Sequence, residues 1–274
     1  MSKLKSSKLA LTTICGILSV SAASASDMPV KAVYKAPPVV AFSWTGFYVG
    51  GTVGAARTNA DVSMTTVNGT SRLIDPLDIA TLNAFGSPSL SQTNAIAGAK
   101  AGYNKQWGGF VLGLEGDISW FRFNPTVAAA GNPFVTFPAF GNAQMSTNVG
   151  TNWLATIRGR AGFAVDHWLF YGTGGAAFAD VKYSNTYVGF SPHGSGSEFE
   201  AASVSQTRVG WAAGAGVDYA LSSNLILSAE YLHVDLGSVT ASGLDTTGSA
   251  NTATFNFSTR VTSDLVRVGA AWKF

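Results

Sequence analysis

Charge is scarce in this sequence. Lys, Arg, Asp and Glu make up 12% of 274 residues, about half the share of an ordinary soluble domain. Cysteine occurs once, as Cys15, so the rest of the chain has neither a disulfide framework nor thiolate metal ligands. The three histidines, His167, His193 and His233, show no paired metal-binding spacing, and no metal site is expected. Beyond residue 25 no apolar run approaches 18 residues, which excludes a membrane-spanning helix. An excess of positive charge is also missing once the N-terminus is set aside. Residues 1–25 carry Lys3, Lys5 and Lys8, then an apolar run from Leu9 to about Val20, then Ala22, Ala23, Ser24 and Ala25. Basic, apolar, then A-x-A is the layout of a secretory signal peptide cut after Ala25. Cys15 lies inside the apolar run behind Ile14, a poor context for lipidation. The remainder holds 14 basic and 15 acidic residues, a net of −1, so no nucleic-acid partner is implied.

What is present is glycine, 31 residues of it, and a positive mean hydropathy. An apolar chain without a spanning helix is either a soluble β-sandwich with its apolar faces inward or a membrane β-barrel with them outward. Apolar residues recur at every second position, the period of a strand. Val266, Val268, Ala270, Trp272 and Phe274 share one face, against Arg267, Gly269, Ala271 and Lys273. Residues 151–165 set Trp153, Ala155, Ile157, Gly159, Ala161, Phe163 and Val165 against Asn152, Thr156, Arg158 and Arg160. Residues 110–120 set Phe110, Leu112, Leu114, Ile118 and Trp120 against Glu115 and Asp117. Further strands are expected at 44–56, 94–104, 168–183, 206–220 and 225–236. In 168–183 the preferred assignment turns Tyr171, Thr173, Ala177, Ala179 and Val181 to lipid, because that puts Asp180 and Lys182 inside. Eight strands result, each long enough to cross a bilayer at a tilt.

Loop lengths separate the two options. Short turns are expected around 104–108, 166–167 and 222–224, and long polar connections at 57–93, 123–150, 184–205 and 237–258. Short turns on one side and long loops on the other mark an outer-membrane barrel. Aromatics agree: Trp44, Phe47, Tyr48, Tyr103, Trp107, Phe163, Trp168, Tyr219, Trp272 and Phe274 gather near the short-turn ends. Trp120, Phe121, Phe123 and Trp153 lie near the other, as two interfacial belts would. The sequence is therefore read as all-β, an eight-stranded antiparallel transmembrane β-barrel. Residues 1–25 are its signal peptide, 26–41 a periplasmic lead and 42–274 the barrel.

The chemistry-bearing residues are the inward charges: Lys100, Glu115, Asp117, Arg158, Arg160, Arg208, Asp218, Glu230 and Arg267. Eight strands leave room only for side chains, and buried charges must be paired. One reading is a plug of ion pairs in place of an apolar core; the other is a narrow gated pore lined by the same groups. Gly172-Thr173-Gly174-Gly175-Ala176-Ala177 fits a dinucleotide fingerprint only superficially, because no helix follows it. No histidine has an evident nucleophile partner, so no enzyme and no cofactor are expected. The closing run Arg267-Val268-Gly269-Ala270-Ala271-Trp272-Lys273-Phe274 resembles a barrel-assembly recognition signal, in which Arg267, Gly269, Trp272 and Phe274 would be read by edge pairing.

Trp44-Thr45-Gly46-Phe47-Tyr48-Val49-Gly50-Gly51, following Lys35-Ala36-Pro37-Pro38, resembles the mature start of small alpha-proteobacterial outer-membrane proteins. These are the RopB-type, opacity-protein-like barrels of the "porin family". Gly108–Asp117 and the closing strand are similar to the same family. The resemblance implies an outer-membrane barrel with surface and envelope roles, and pores or haem binding in some relatives; it carries no catalytic residues. The function expected is a structural surface protein presenting four exposed loops. A small-solute pore is the alternative, and a loop ligand such as haem the minor one. Expected partners are outer-membrane lipid, lipopolysaccharide, the barrel-assembly machinery and ligands at the loops.

Overall fold

A computed structural model describes residues 42–67, 75–136, 142–190, 197–244 and 254–274. The proposed signal peptide and lead, and His193, lie outside them. Among the described residues nine strands and one helix follow in order: β1 (Gly46–Val67), α1 (Pro76–Phe85), β2 (Ser89–Trp107), β3 (Phe110–Phe123), β4 (Thr126–Gly131), β5 (Ala143–Val165), β6 (Trp168–Phe190), β7 (Ser197–Ala220), β8 (Leu225–Leu244) and β9 (Thr254–Lys273). All pairings are antiparallel. The hydrogen-bonded order β3-β2-β1-β9-β8-β7-β6-β5 closes through β3–β5, and β4 rides on β5 as a ninth, partial strand. The ring therefore has eight strands, and β1 pairs with β9 from Tyr48↔Lys273 to Val67↔Thr254.

The turns at one end are as short as expected. Gly108-Gly109 and Asp166-His167 join β2 to β3 and β5 to β6, with Gly108 at φ 59° and Asp166 at φ 50°. A left-handed residue in each lets a two-residue link follow the strand twist. The opposite end differs from expectation. Much of the four polar stretches assigned to loops is strand: β1, β5, β6, β7, β8 and β9 run 20 to 24 residues. A tilted crossing needs only 9–11, so the wall continues well past the bilayer. Ser- and Thr-rich sequence looked like loop because alternation there involves small and hydroxylated side chains, but β-branched threonine suits a pleated surface.

The outer face carries the apolar band. On β9, Trp272, Ala270, Val268 and Val266 point outward before Asp264 ends the run. With the exposed Phe274, the eight steps from Val266 at about 3.3 Å rise and a tilt near 40° give roughly 20 Å, most of the apolar band of about 25 Å that such barrels carry. Phe47, Leu112, Leu114, Ile157, Phe163, Trp168 and Val209 continue it around the ring with their side chains open.

Three face assignments change. Trp44 and Tyr48 are buried inside the short-turn end rather than in the lipid-facing belt, and Phe121 and Phe123 point inward at the opposite end. In β6, Tyr171, Thr173, Ala177, Ala179 and Val181 are buried inside, whereas Asp180 and Lys182 face out, 3.8 Å apart. The reason is strand length: Asp180 and Lys182 lie on the extension beyond the band, where the outer face meets water.

Candidate functional site

The interior is built in three layers, because inward positions along each strand change character with height. At the short-turn end Trp44, Tyr48, Val111, Leu169, Tyr171, Ala220, Ile226 and Ala271 form an apolar cluster. Trp44 is held there by its own backbone: its N–H donates to Gln106 Oε1 at 2.8 Å, and Gln106 N–H donates to Thr45 Oγ1 at 3.0 Å. Phe42 packs edge-on against Trp44 at 4.9 Å and beneath the Lys273 ammonium. The residues just before β1 thus fold back as a stopper.

Above the stopper lies a ring of charge supplied by six strands of the barrel, to which β1 and β6 add the hydroxyls of Tyr48 and Thr173. Arg158 is its centre. Its Nη2 donates to Glu115 Oε1 at 2.7 Å and Asp117 Oδ2 at 2.8 Å, its Nη1 to Glu230 Oε1 at 2.7 Å, and its Nε to Thr156 Oγ1 at 2.8 Å. Arg267 bridges Asp117, at 2.7 Å, and Glu230. Arg160 reaches Asp218 at 2.5 Å, Glu115 at 3.2 Å and the Tyr48 hydroxyl at 2.7 Å, and its guanidinium lies 3.7 Å over the Tyr171 ring. Lys100 Nζ completes the set, 3.8 Å from Glu115 and 3.1 Å from Ser228 Oγ. Four cations face four carboxylates, so the ring is neutral. Glu115 and Arg158 are each 1% exposed.

Two glycines make room for the ring's aromatics. A Cβ on Gly102 or on Gly216 would stand 2.4 Å from the hydroxyl of Tyr48 or Tyr171, the residue paired across from each. Gly175, in the nucleotide-like run, sits mid-strand, where a Cβ would lie 2.1 Å from Ile157 O. The run is wall, and no helix follows it.

Above the ring the lumen turns apolar again. Leu90, Ile96, Phe121, Phe123, Leu154, Val181, Leu232, Val261 and Leu265 belong to one buried cluster. A plug of ion pairs in place of an apolar core is one of the two readings of the sequence. The ring instead occupies one layer, because charges need opposite partners within reach while the taller barrel still needs filling. The helix α1, with Pro76 in its first turn and Asp75 accepting from Leu77 N–H at 2.8 Å, lays Leu82 into this cluster. It is clasped to the turn after β4. Asp78 accepts the N–H groups of Val135 at 2.6 Å and Thr136 at 2.8 Å, and Thr81 Oγ1 donates to Pro133 O at 2.5 Å.

Eight of the nine inward charges named from sequence therefore meet in one layer. Arg208 does not: it is half-buried on β7, ten residues along from Asp218, with Gln206 Oε1 at 3.5 Å. The register places it above the ring, out of reach of those carboxylates. Sequence reasoning missed Tyr48, Tyr171 and Thr173 as members, and it set Thr156 on the inward face without assigning it to the ring. Strand parity held the signal: Phe47 and Val49 outward put Tyr48 inward, and Trp168 and Phe170 outward put Tyr171 inward. Of the assembly residues, Arg267 is in the ring, Trp272 and Phe274 are exposed, and Phe274 N–H donates to Phe47 O at 2.9 Å. His233 faces outward on β8 with Nδ1 2.8 Å from Asp264 Oδ1, and Tyr231 donates to the same oxygen at 2.7 Å. Among the described residues no group of three or more His, Cys, Asp or Glu side chains is arranged to hold a metal ion.

The model of the outer membrane protein beta-barrel domain matches residues 13–274. The 31 kDa outer-membrane immunogenic protein of Brucella melitensis is 31% identical over 270 residues, which cover 96% of this chain and 98% of the relative. The 22 kDa outer membrane protein of Rhizobium leguminosarum bv. viciae is 27% identical over 202 residues, 73% of this chain and 68% of the relative. Among solved structures, the outer membrane protein OprG of Pseudomonas aeruginosa aligns over 85% of this chain and 98% of its own at 13% identity, with a TM-score of 0.43.

Proposed function

This chain belongs to the outer-membrane β-barrel domain family, and from that premise we propose that it is a sealed, non-catalytic barrel that serves the envelope as a structural and surface-presenting protein. The observation that carries the reading is the neutral ring. A permeation path would have to cross a layer in which Arg158, Arg160 and Arg267 are each held by at least two carboxylates. Removing one partner from a buried pair costs about 3–5 kcal/mol, so thermal opening of several at once is rare. Trp44 below and the apolar cluster above add two dry barriers.

The surface role rests on the strand extensions, which raise the loop ends away from the lipid. The Brucella relative's description as an immunogenic outer-membrane protein is in keeping with such exposure. Lipopolysaccharide and outer-membrane lipid would contact the band and its rim. The C-terminal strand would be read by the assembly machinery before closure, since in the finished ring β9 is paired on both edges, with β1 and β8. Residues 1–25 would be removed during export, leaving 26–41 as a periplasmic lead.

Planar-bilayer recording of the refolded barrel tests the proposal. No steady conductance step is expected, and reproducible single-channel conductance with solute permeation would replace the sealed barrel by a pore.

A further inference from the structure

The ring of strands is closed only over part of its height. β2 and β3 pair from Trp107↔Phe110 up to Ala97↔Trp120 and no further. Beyond that level, among the described residues, β2 continues from Ile96 to Ser89 against β1 alone, and β4 runs from Thr126 to Gly131 against β5 alone. The cause is local. The β3–β5 register shifts between Trp120 and Phe123, and such an irregularity bends a strand away from its neighbour. Pro125 follows, with no N–H to offer β2, and its carbonyl accepts instead from Val149 N–H and Asn148 Nδ2. Among the described residues the wall thus parts into a window whose two edges pair with no further strand. Gln92 Oε1, accepting from Asn124 N–H at 3.2 Å, bridges its lower part, four residues beyond Ile96. The clasp of α1 to residues 133–136 closes it above.

Unpaired edges invite a further strand, and proteins usually blunt them with Lys, Pro or inward charge. Here Ser89–Ile96 and Thr126–Gly131 contain no charged residue and no proline. On β4 the exposed side chains are Thr126, Ala128 and Ala130, and the half-buried ones Val127, Ala129 and Gly131. Small side chains on both faces leave an incoming backbone unobstructed. We propose that the β4 edge of this window is a strand-addition site, taking an extended, uncharged polypeptide segment of about six residues from another protein at the cell surface. A second copy in the same membrane does not fit. A two-fold axis along the membrane normal would bring two β4 edges together pointing the same way and crossed at roughly twice the strand tilt, about 80°, which no ladder tolerates. Affinity would come from main-chain hydrogen bonds and selectivity from alternate side chains. The inference rests on the membrane-barrel reading, which places this edge outside the bilayer.

The probe is a fluorescent peptide with the sequence of residues 143–150, because this segment already pairs with β4 on its other edge, from Thr126↔Asn148 to Gly131↔Ala143. The full-length barrel in detergent micelles is titrated against it by anisotropy. A dissociation constant on the order of 100 µM is expected, weakened at least about tenfold by N-methylation at alternate residues, which removes the donors. Ala128→Lys with Ala130→Lys should weaken binding comparably. No binding of the unmodified peptide, or equal binding of the N-methylated one, overturns the proposal. Heat-modifiable gel mobility, measured on every sample, reports separately whether the barrel itself is folded.

Discussion

At the scale of single residues, the ring of charge is where one side chain matters most. Arg158 serves Glu115, Asp117 and Glu230 at once, so Arg158→Leu should leave the ring one cation short, with Arg160, Lys100 and Arg267 alone to hold those carboxylates. A loss on the order of 3 kcal/mol is expected, visible as a lower urea midpoint for refolding into lipid vesicles. An unchanged midpoint would mean that water already solvates the ring. Tyr171 makes a contrasting case. Its ring lies under Arg160, but its buried hydroxyl has no hydrogen-bond partner among the described residues. Tyr171→Phe should therefore be neutral or stabilise by up to about 1 kcal/mol, whereas Tyr171→Leu should destabilise through loss of the cation–π contact. A destabilised phenylalanine variant would reveal a partner for the hydroxyl. Most of the charged members were legible in sequence because they sit opposite apolar residues in alternating runs. Tyr48 and Tyr171 were not, because an aromatic near a strand end reads equally well as a belt residue until parity with its neighbours is enforced.

Elements obey a different constraint, that of backbone approach and backbone capping. Gly102 and Gly216 each lie across from a ring tyrosine. Gly102→Val should push the Tyr48 hydroxyl off Glu115 Oε2, to which it donates at 2.8 Å, and slow refolding; a variant that folds with wild-type midpoint would show that the tyrosine has other places to go. The clasp is testable apart from the barrel. Asp78→Ala removes the acceptor of two N–H groups, each costing about 1–3 kcal/mol if left buried and unpaired. Faster limited proteolysis around residues 132–136, with unchanged heat-modifiable mobility, is the expected result; equal proteolysis would mean that the turn holds itself. The helix gave little sign in the sequence. It lies within a stretch that reads as polar loop, and only Asp75-Pro76 marks its start. The extra strand length was hidden for the same reason: hydroxylated residues satisfy both loop and strand statistics, and only the pairing partner decides.

For the whole molecule, stability rests on two solvents kept apart by one wall. The outward band needs lipid or detergent, and the inward ring is shielded from both. Salt separates these contributions. Exposed pairs are screened at physiological ionic strength and buried ones far less, so raising sodium chloride from about 0.05 to 0.5 M should leave the unfolding midpoint nearly unchanged. A marked fall would place the ring in contact with bulk water and reopen the case for a pore.

The sequence by itself determined the class of fold, the side of most crossings that meets lipid (β6 excepted), and the charges that must be paired, because alternation and loop length are properties of a strand and its immediate neighbours. Height was decided only in three dimensions. Where the ring of charge stops, where the apolar filling resumes, and where β3 parts from β2 all depend on register between strands far apart in the chain, and register is set by the closed set of hydrogen bonds as a whole.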